Sequence, residues 1–75
     1  MADTYKKALI AFGKNVRQLR ADKKLSQREL AALCNIDHAD ISRIENAEMN
    51  IKFSSIVQLA EALEVEIEYL FKFDH

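Results

Sequence analysis

The chain has 75 residues, of which 49% are hydrophobic and 31% are charged, and its formal net charge is −1. This length holds one domain, residues 1–75, and excludes an enzyme with a large cleft, while the hydrophobic share predicts a folded protein. With one cysteine, Cys34, and no long apolar run near the N-terminus, we expect a cytoplasmic protein without an internal disulfide and without a membrane span.

The first predicted element is a helix from about Asp3 to Asp22. The chain has no proline and one glycine, so helices are favoured throughout. Apolar residues recur at helical spacing and form one stripe on an otherwise cationic helix. The stripe consists of Leu9, Phe12, Val16 and Leu19. Gly13 lies beside this stripe and predicts a close crossing with a second helix.

The second predicted helix begins at Gln27. Ser26 and Glu29 have the spacing of a capping box, in which the serine hydroxyl accepts from an amide three residues on and the glutamate reaches back. The helix should stop near Asn35, because asparagine tolerates the left-handed conformation that ends helices. Ile36 then fills the turn.

A third helix, His38 to Asn46, is predicted to follow this turn. Asp37 is well placed to cap it, and its inward positions Ile41 and Ile44 are three residues apart. The other residues of this helix are almost all polar. The core needs only the face with the two isoleucines, so we expect the polar face of this helix to bind a ligand.

Two further helices complete the predicted fold, which is all-α with five helices. The apolar positions of the fourth are Phe53, Ile56, Val57, Leu59, Ala60 and Leu63. Those of the short fifth are Ile67, Leu70 and Phe71. Two short helices joined by a tight turn, here about Ser26 to Asn46, form a helix-turn-helix, and its second helix fits the major groove of DNA.

Three stretches of the sequence, LSQRELA, ISRIEN and LAEALEV, are typical of one protein family. Through them, the chain from about Val16 to Phe71 resembles the Cro/C1-type helix-turn-helix family of phage-repressor-like, Xre-type transcription regulators. Where the family has glycine, this chain has Asn35, Ala47 and Glu64, and Ile51 stands where proline is frequent. The resemblance implies a repressor-like DNA-binding domain that uses no cofactor.

The family's DNA contacts transfer to matching positions of this chain. The resemblance implies that base edges are read by His38, Ala39, Ser42 and Arg43. Arg43 suits a bidentate contact to guanine, since its fork matches the O6 and N7 acceptors. We expect phosphate contacts from Gln27, Asn46, Lys52, Arg17 and Lys24.

For each of these residues a plainer interpretation stays open. Gln27 could be a solvated helix start, His38 an ordinary exposed side chain, and Arg43 a surface arginine paired with a carboxylate. Arg20 and Glu45 match the family's internal ion pair, or else are two solvated charges. Asp40 repels phosphate unless it accepts from cytosine or bridges to Arg43, so we interpret it as an orienting residue.

Metal binding and catalysis are both disfavoured by the sequence. Cys34, Asp37 and His38 are near in sequence, but zinc sites need three or four ligands at recurrent spacings, and we interpret Cys34 as a small core residue. The acidic residues near the C-terminus have no accompanying nucleophile, so they indicate a solvated face. We expect no metal and no enzymatic activity.

Charge and apolar residues are unevenly placed along the chain. The first third is basic and the end is acidic, so one side is suited to phosphate while the other faces away.

Apolar residues near both termini exceed what a small core needs, and they predict a homodimer. Its interface would use Tyr5, Leu9, Ile67, Leu70, Phe71 and Phe73. Two-fold pairing would place the recognition helices about 34 Å apart on a palindromic site.

The favoured hypothesis is a small transcription regulator that binds a double-stranded operator. Polymerase or a toxin are possible protein partners, because controllers and antitoxins share this fold. The rival hypothesis is a protein-interaction module that has kept the fold and lost DNA binding. It is motivated by acidic residues around the third helix, which are Asp37, Asp40, Glu45 and Glu48.

Overall fold

The computed structural model describes residues 2–72, and over these residues the chain is entirely helical. Four α-helices are followed by one 3₁₀ helix. They are α1 (Ala2–Asp22), α2 (Gln27–Leu33), α3 (His38–Glu45), α4 (Phe53–Leu63) and the 3₁₀ helix Ile67–Phe71. The predicted all-α class is confirmed, although the fifth helix is 3₁₀ rather than α. Between residues 2 and 72, no helix is both long and apolar enough to span a bilayer.

One core joins all five helices. Its fully enclosed side chains include Val16, Leu30, Ile41, Ile44, Leu59, Leu63 and Leu70. Cys34 is buried among them, as expected, and its Sγ donates to the carbonyl of Leu30 at 3.1 Å. Burial raises the pKa of this thiol, which disfavours the reactive thiolate form.

Gly13 is the point at which α1 crosses the end of α3. A Cβ at this position would lie 2.5 Å from the carbonyl oxygen of Ile44 and 2.7 Å from that of Glu45. Side chains do not approach backbone oxygens so closely, so only glycine fits here. The predicted close crossing is confirmed, and it packs the backbone of α1 directly against the last turn of α3.

The start of α2 matches the sequence prediction, and the helix ends near the predicted Asn35, but not through the predicted conformation. Ser26 Oγ accepts from the amide of Glu29 at 3.0 Å, and Glu29 Oε1 accepts from the amide of Ser26 at 2.7 Å, which completes the capping box. The prediction of a left-handed Asn35 is wrong. The helix ends at Leu33 because Cys34 is extended, with φ −125° and ψ 151°. Burial of Cys34 and Ile36 turns the chain here without a left-handed residue.

Three helices instead end on a left-handed residue that is not glycine. Lys24, Ala47 and Glu64 follow α1, α3 and α4, and each has φ 59°. After α3, the amide of Glu48 donates to the carbonyl of Arg43 at 2.8 Å, and the amide of Ala47 donates to that of Ile44 at 3.2 Å. This is the Schellman pattern, which usually employs glycine. Asp37 occupies the N-cap position of α3, but the predicted capping is wrong, because its side chain makes no capping hydrogen bond.

Replacing Ala47 by glycine should stabilise the protein. Left-handed backbone strains an alanine by about 1–2 kcal/mol, and the greater freedom of glycine in the unfolded chain offsets part of that gain. We expect Ala47→Gly to raise the free energy of unfolding by about 0.5–1 kcal/mol in urea denaturation. The matched control is Ala32→Gly in exposed, right-handed α2, which should lower it. Equal effects at both positions would contradict this account.

Candidate nucleic-acid interface

The two faces of α3 differ in burial. Ile41, Ile44 and Glu45 are buried and hold the helix against the core. His38, Ala39 and Arg43 are exposed on the opposite side, and Ser42 is half-buried between the two faces. The structure therefore brings the four proposed base-reading residues together on the outward surface of one helix. The surface is short enough and polar enough to enter a major groove.

Arg43 is held by a carboxylate from its own helix. Its Nη1 donates to Oδ1 of Asp40 at 2.7 Å, and both side chains remain partly exposed. The sequence left open whether Arg43 reads bases or pairs with an acid. In the unbound protein it does pair with an acid, but the guanidinium stays at the surface, where a base edge can reach its other N–H groups.

The inner side of α3 is tied to α1 and α2 by a buried ionic network. Arg20 Nε donates to Glu45 Oε2 at 2.7 Å and Arg20 Nη2 donates to Glu45 Oε1 at 3.0 Å, so the contact is bidentate. Only 15% of the Arg20 side chain and 2% of the Glu45 side chain are exposed. The hydrogen bond to Glu45 raises the pKa of Arg20 above its usual value, so the guanidinium remains charged.

Gln27 belongs to the same network. Its Nε2 donates to Glu45 Oε1 at 3.1 Å, and Arg20 Nη1 donates to the carbonyl of Leu25 at 2.7 Å. The sequence analysis missed the Gln27–Glu45 bond, because it assigned Gln27 to phosphate and Glu45 to the interior separately. The half-buried amide of Gln27 has a second N–H that this bond leaves available.

The other proposed phosphate contacts are all exposed. They are Arg17, Lys24, Asn46 and Lys52. Lys52 immediately precedes α4. Lys24 is the left-handed residue that ends α1. Across residues 2–72 no three histidine, cysteine or acidic side chains are grouped as a metal ion requires.

The proposed dimer residues divide into three groups. Tyr5 and Phe71 are about half exposed, at 50% and 47%, and the Phe71 ring packs on Phe12 with centroids 5.2 Å apart. Leu9 and Ile67 are half-buried. Leu70 has no exposed surface and belongs to the core, so assigning it to an interface was wrong. The helical pattern did not show that the short last helix turns this residue inward. Phe73 lies outside the described residues.

Known proteins with similar sequences are helix-turn-helix proteins. A family model described as helix-turn-helix matches residues 16–70. The HTH-type transcriptional repressor RghR of Bacillus subtilis is 41% identical over 61 residues, which is 80% of this chain and 45% of the repressor. The chain thus spans about half the length of the first curated relatives that it matches.

Solved structures of similar fold include two restriction-modification controller proteins. The controller C.AhdI of Aeromonas hydrophila aligns with a TM-score of 0.83 and 38% identity, over 84% of this chain and 96% of that protein. The controller C.Esp1396I, solved as a tetramer in complex with its natural 35 base-pair operator, aligns with a TM-score of 0.75 and 26% identity. That alignment covers 87% of this chain and 96% of the controller.

Proposed function

The chain belongs to the Cro/C1-type helix-turn-helix family, and on that premise we propose that it regulates transcription by binding a specific double-stranded DNA site. The observation that carries this proposal is the division of α3 into two faces. Its inner face is fixed by core packing and by the Arg20–Glu45 pair, while its outer face presents polar side chains and Arg43. A helix held in this way enters the major groove as a rigid reader.

Each part of the surface has its own role in this proposal. Arg43 reads a guanine, and His38, Ala39 and Ser42 contact neighbouring base edges. Gln27, Asn46, Lys52, Arg17 and Lys24 hold phosphates, which fixes the register of the protein without reading sequence. Nothing in this role requires a cofactor or a catalytic step, and we expect it to take place in the cytoplasm.

We further propose that two copies bind together on a palindromic operator. Tyr5 and Phe71 are large, about half exposed and located in the first and last described helices. With Leu9 and Ile67 beside them, they provide apolar surface whose burial favours association. The tetrameric controller on its operator supports assembly on DNA for a protein of this fold. A two-fold pair would place the two copies of α3 one DNA turn apart.

The test separates base reading from phosphate contact. Selection from random duplexes should yield a palindromic site, and the affinities of variants for that site are then measured by fluorescence anisotropy. Arg43→Ala should reduce discrimination at one base pair in each half-site by about 1–3 kcal/mol. Lys52→Ala should weaken binding to every sequence alike and make the slope of log affinity against log salt shallower by about 0.9 per lost phosphate contact.

Lys7→Ala is the matched control for these variants. Lys7 is exposed on α1, and its position is offset from the buried stripe of that helix by about half a turn. The Lys7→Ala variant should therefore bind the selected site with nearly the affinity of the parent protein. Recovery of no preferred site, or parent-like discrimination by Arg43→Ala, would show that α3 is not the reader.

A further inference from the structure

Among residues 2–72, Asp40 and Arg43 form the one ion pair that lies wholly on α3. They are three residues apart, so the carboxylate and the guanidinium lie on the same side of the helix. Asp40 is also in the first turn, where the positive end of the helix favours a carboxylate. Its position is thus set by the helix, and the position of Arg43 is set by Asp40.

The stability of the protein does not explain this pair. Exposed ion pairs contribute little to folding, and 53% of the Arg43 side chain and 38% of the Asp40 side chain are exposed. Asp40 also places a negative charge on the surface that we propose to face phosphates, where it opposes binding to any DNA. A residue that weakens general DNA affinity and adds little stability needs another role.

We propose that Asp40 is a specificity-determining residue that acts through Arg43, an inference that rests on the proposed function. An arginine side chain has several rotatable bonds, and an unrestrained one contacts phosphates and different bases in turn. The 2.7 Å bond to Asp40 fixes one Nη1 proton and leaves four N–H donors for a single approach to guanine. Asp40 therefore favours one base by making Arg43 a directed donor instead of a mobile cation.

This role has an unusual signature, because removing the carboxylate changes two affinities in opposite directions. Affinity of Asp40→Ala for unrelated DNA should rise by about two- to threefold, since one repulsive charge is lost from the interface. Its preference for guanine at the base pair read by Arg43 should fall by about three- to tenfold, since the guanidinium is no longer oriented. Asp40→Asn keeps an acceptor for Arg43 and should retain part of the preference.

The experiment is a double-mutant cycle on base preference. The parent protein, Asp40→Ala, Arg43→Ala and the double variant are titrated against the selected duplex and against three duplexes that differ at the base pair read by Arg43. A nonspecific duplex and a thermal melt of each variant are added. Once Arg43 is absent, Asp40 has nothing to orient. We therefore expect the double variant to have the same base preference as Arg43→Ala.

The outcomes are distinct. Parent-like preference in Asp40→Ala would overturn the inference, as would an effect of Asp40→Ala that persists in full without Arg43, since Asp40 would then contact a base itself. A lower melting temperature with unchanged preference would assign Asp40 a purely structural role. If the parent protein shows no base preference at all, the proposed function fails instead, and the inference with it.

Discussion

Replacing Arg20 by methionine should destabilise the protein by about 3 kcal/mol. The substitution leaves the carboxylate of Glu45, of which 2% is exposed, with the amide of Gln27 as its remaining partner. Removing one member of a buried pair costs about 3–5 kcal/mol, and the lower value applies because the Arg20 side chain keeps some contact with water. The measurement is urea denaturation followed by circular dichroism.

The size of this loss is large for so small a protein. Stabilities of about 0.05–0.15 kcal/mol per residue imply roughly 4–11 kcal/mol for the whole chain. Arg20→Met should therefore lower the melting temperature by ten degrees or more, on the order of 4–8 °C per kcal/mol for domains of this size. DNA binding should fall in parallel as the folded fraction decreases.

Two variants show whether the stranded charge is the cause. Combining Arg20→Met with Glu45→Met removes both charges and should recover much of the lost stability, because apolar residues often replace buried ion pairs at little cost. Lys23→Met breaks the exposed contact between Lys23 Nζ and Glu64 Oε1, 2.6 Å apart, and should leave stability nearly unchanged. A double variant no more stable than Arg20→Met would refute the explanation.

Replacing Gly13 by alanine is expected to have the second largest effect, a loss of about 2 kcal/mol. Alanine favours helix over glycine by about 1 kcal/mol, so propensity alone predicts a gain. The new Cβ would overlap two carbonyl oxygens of α3, which belong to backbone and cannot rotate away. Forcing extra atoms into a packed contact costs about 1–3 kcal/mol, and more where the backbone must move.

Gly13→Ala should also impair DNA binding beyond its effect on stability, because the new Cβ would push the last turn of α3 away from α1. Lys14→Ala is the matched control for stability, since it places an alanine at an exposed position of the same helix one residue later. It should leave stability nearly unchanged. If Gly13→Ala were as stable as the parent, the helices would have to be further apart than the structure shows.

The helices and their order were predictable from local patterns. The capping box at Ser26, the apolar stripe around Phe12 and the glycine crossing at Gly13 depend on nearby residues or on one face of a helix, and all three occur in the structure. The contact between α1 and α3 was harder to predict from the sequence. The Arg20–Glu45 ion pair spans 25 residues and was reached through the family resemblance rather than through charge spacing.

The errors arose where burial overrode local preference. Asn35 tolerates the left-handed conformation, yet α2 ends earlier because Cys34 must enter the core. Leu70 looked like surplus apolar surface because the chain pattern does not show which way a single 3₁₀ turn faces. Gln27 was assigned to phosphate alone, because its bond to Glu45 can be predicted only when the position of the third helix against the second is known.

The ionic network of Arg20, Glu45 and Gln27 also bears on how protein and DNA would adapt to each other in a complex. If α3 binds DNA as proposed, its charge network and direct backbone packing oppose any tilt toward a poorly matched groove, so we expect the duplex to bend or twist instead. Sequences with flexible pyrimidine–purine steps deform at lower energy than stiff tracts. The preferred site should therefore extend to base pairs that no side chain touches.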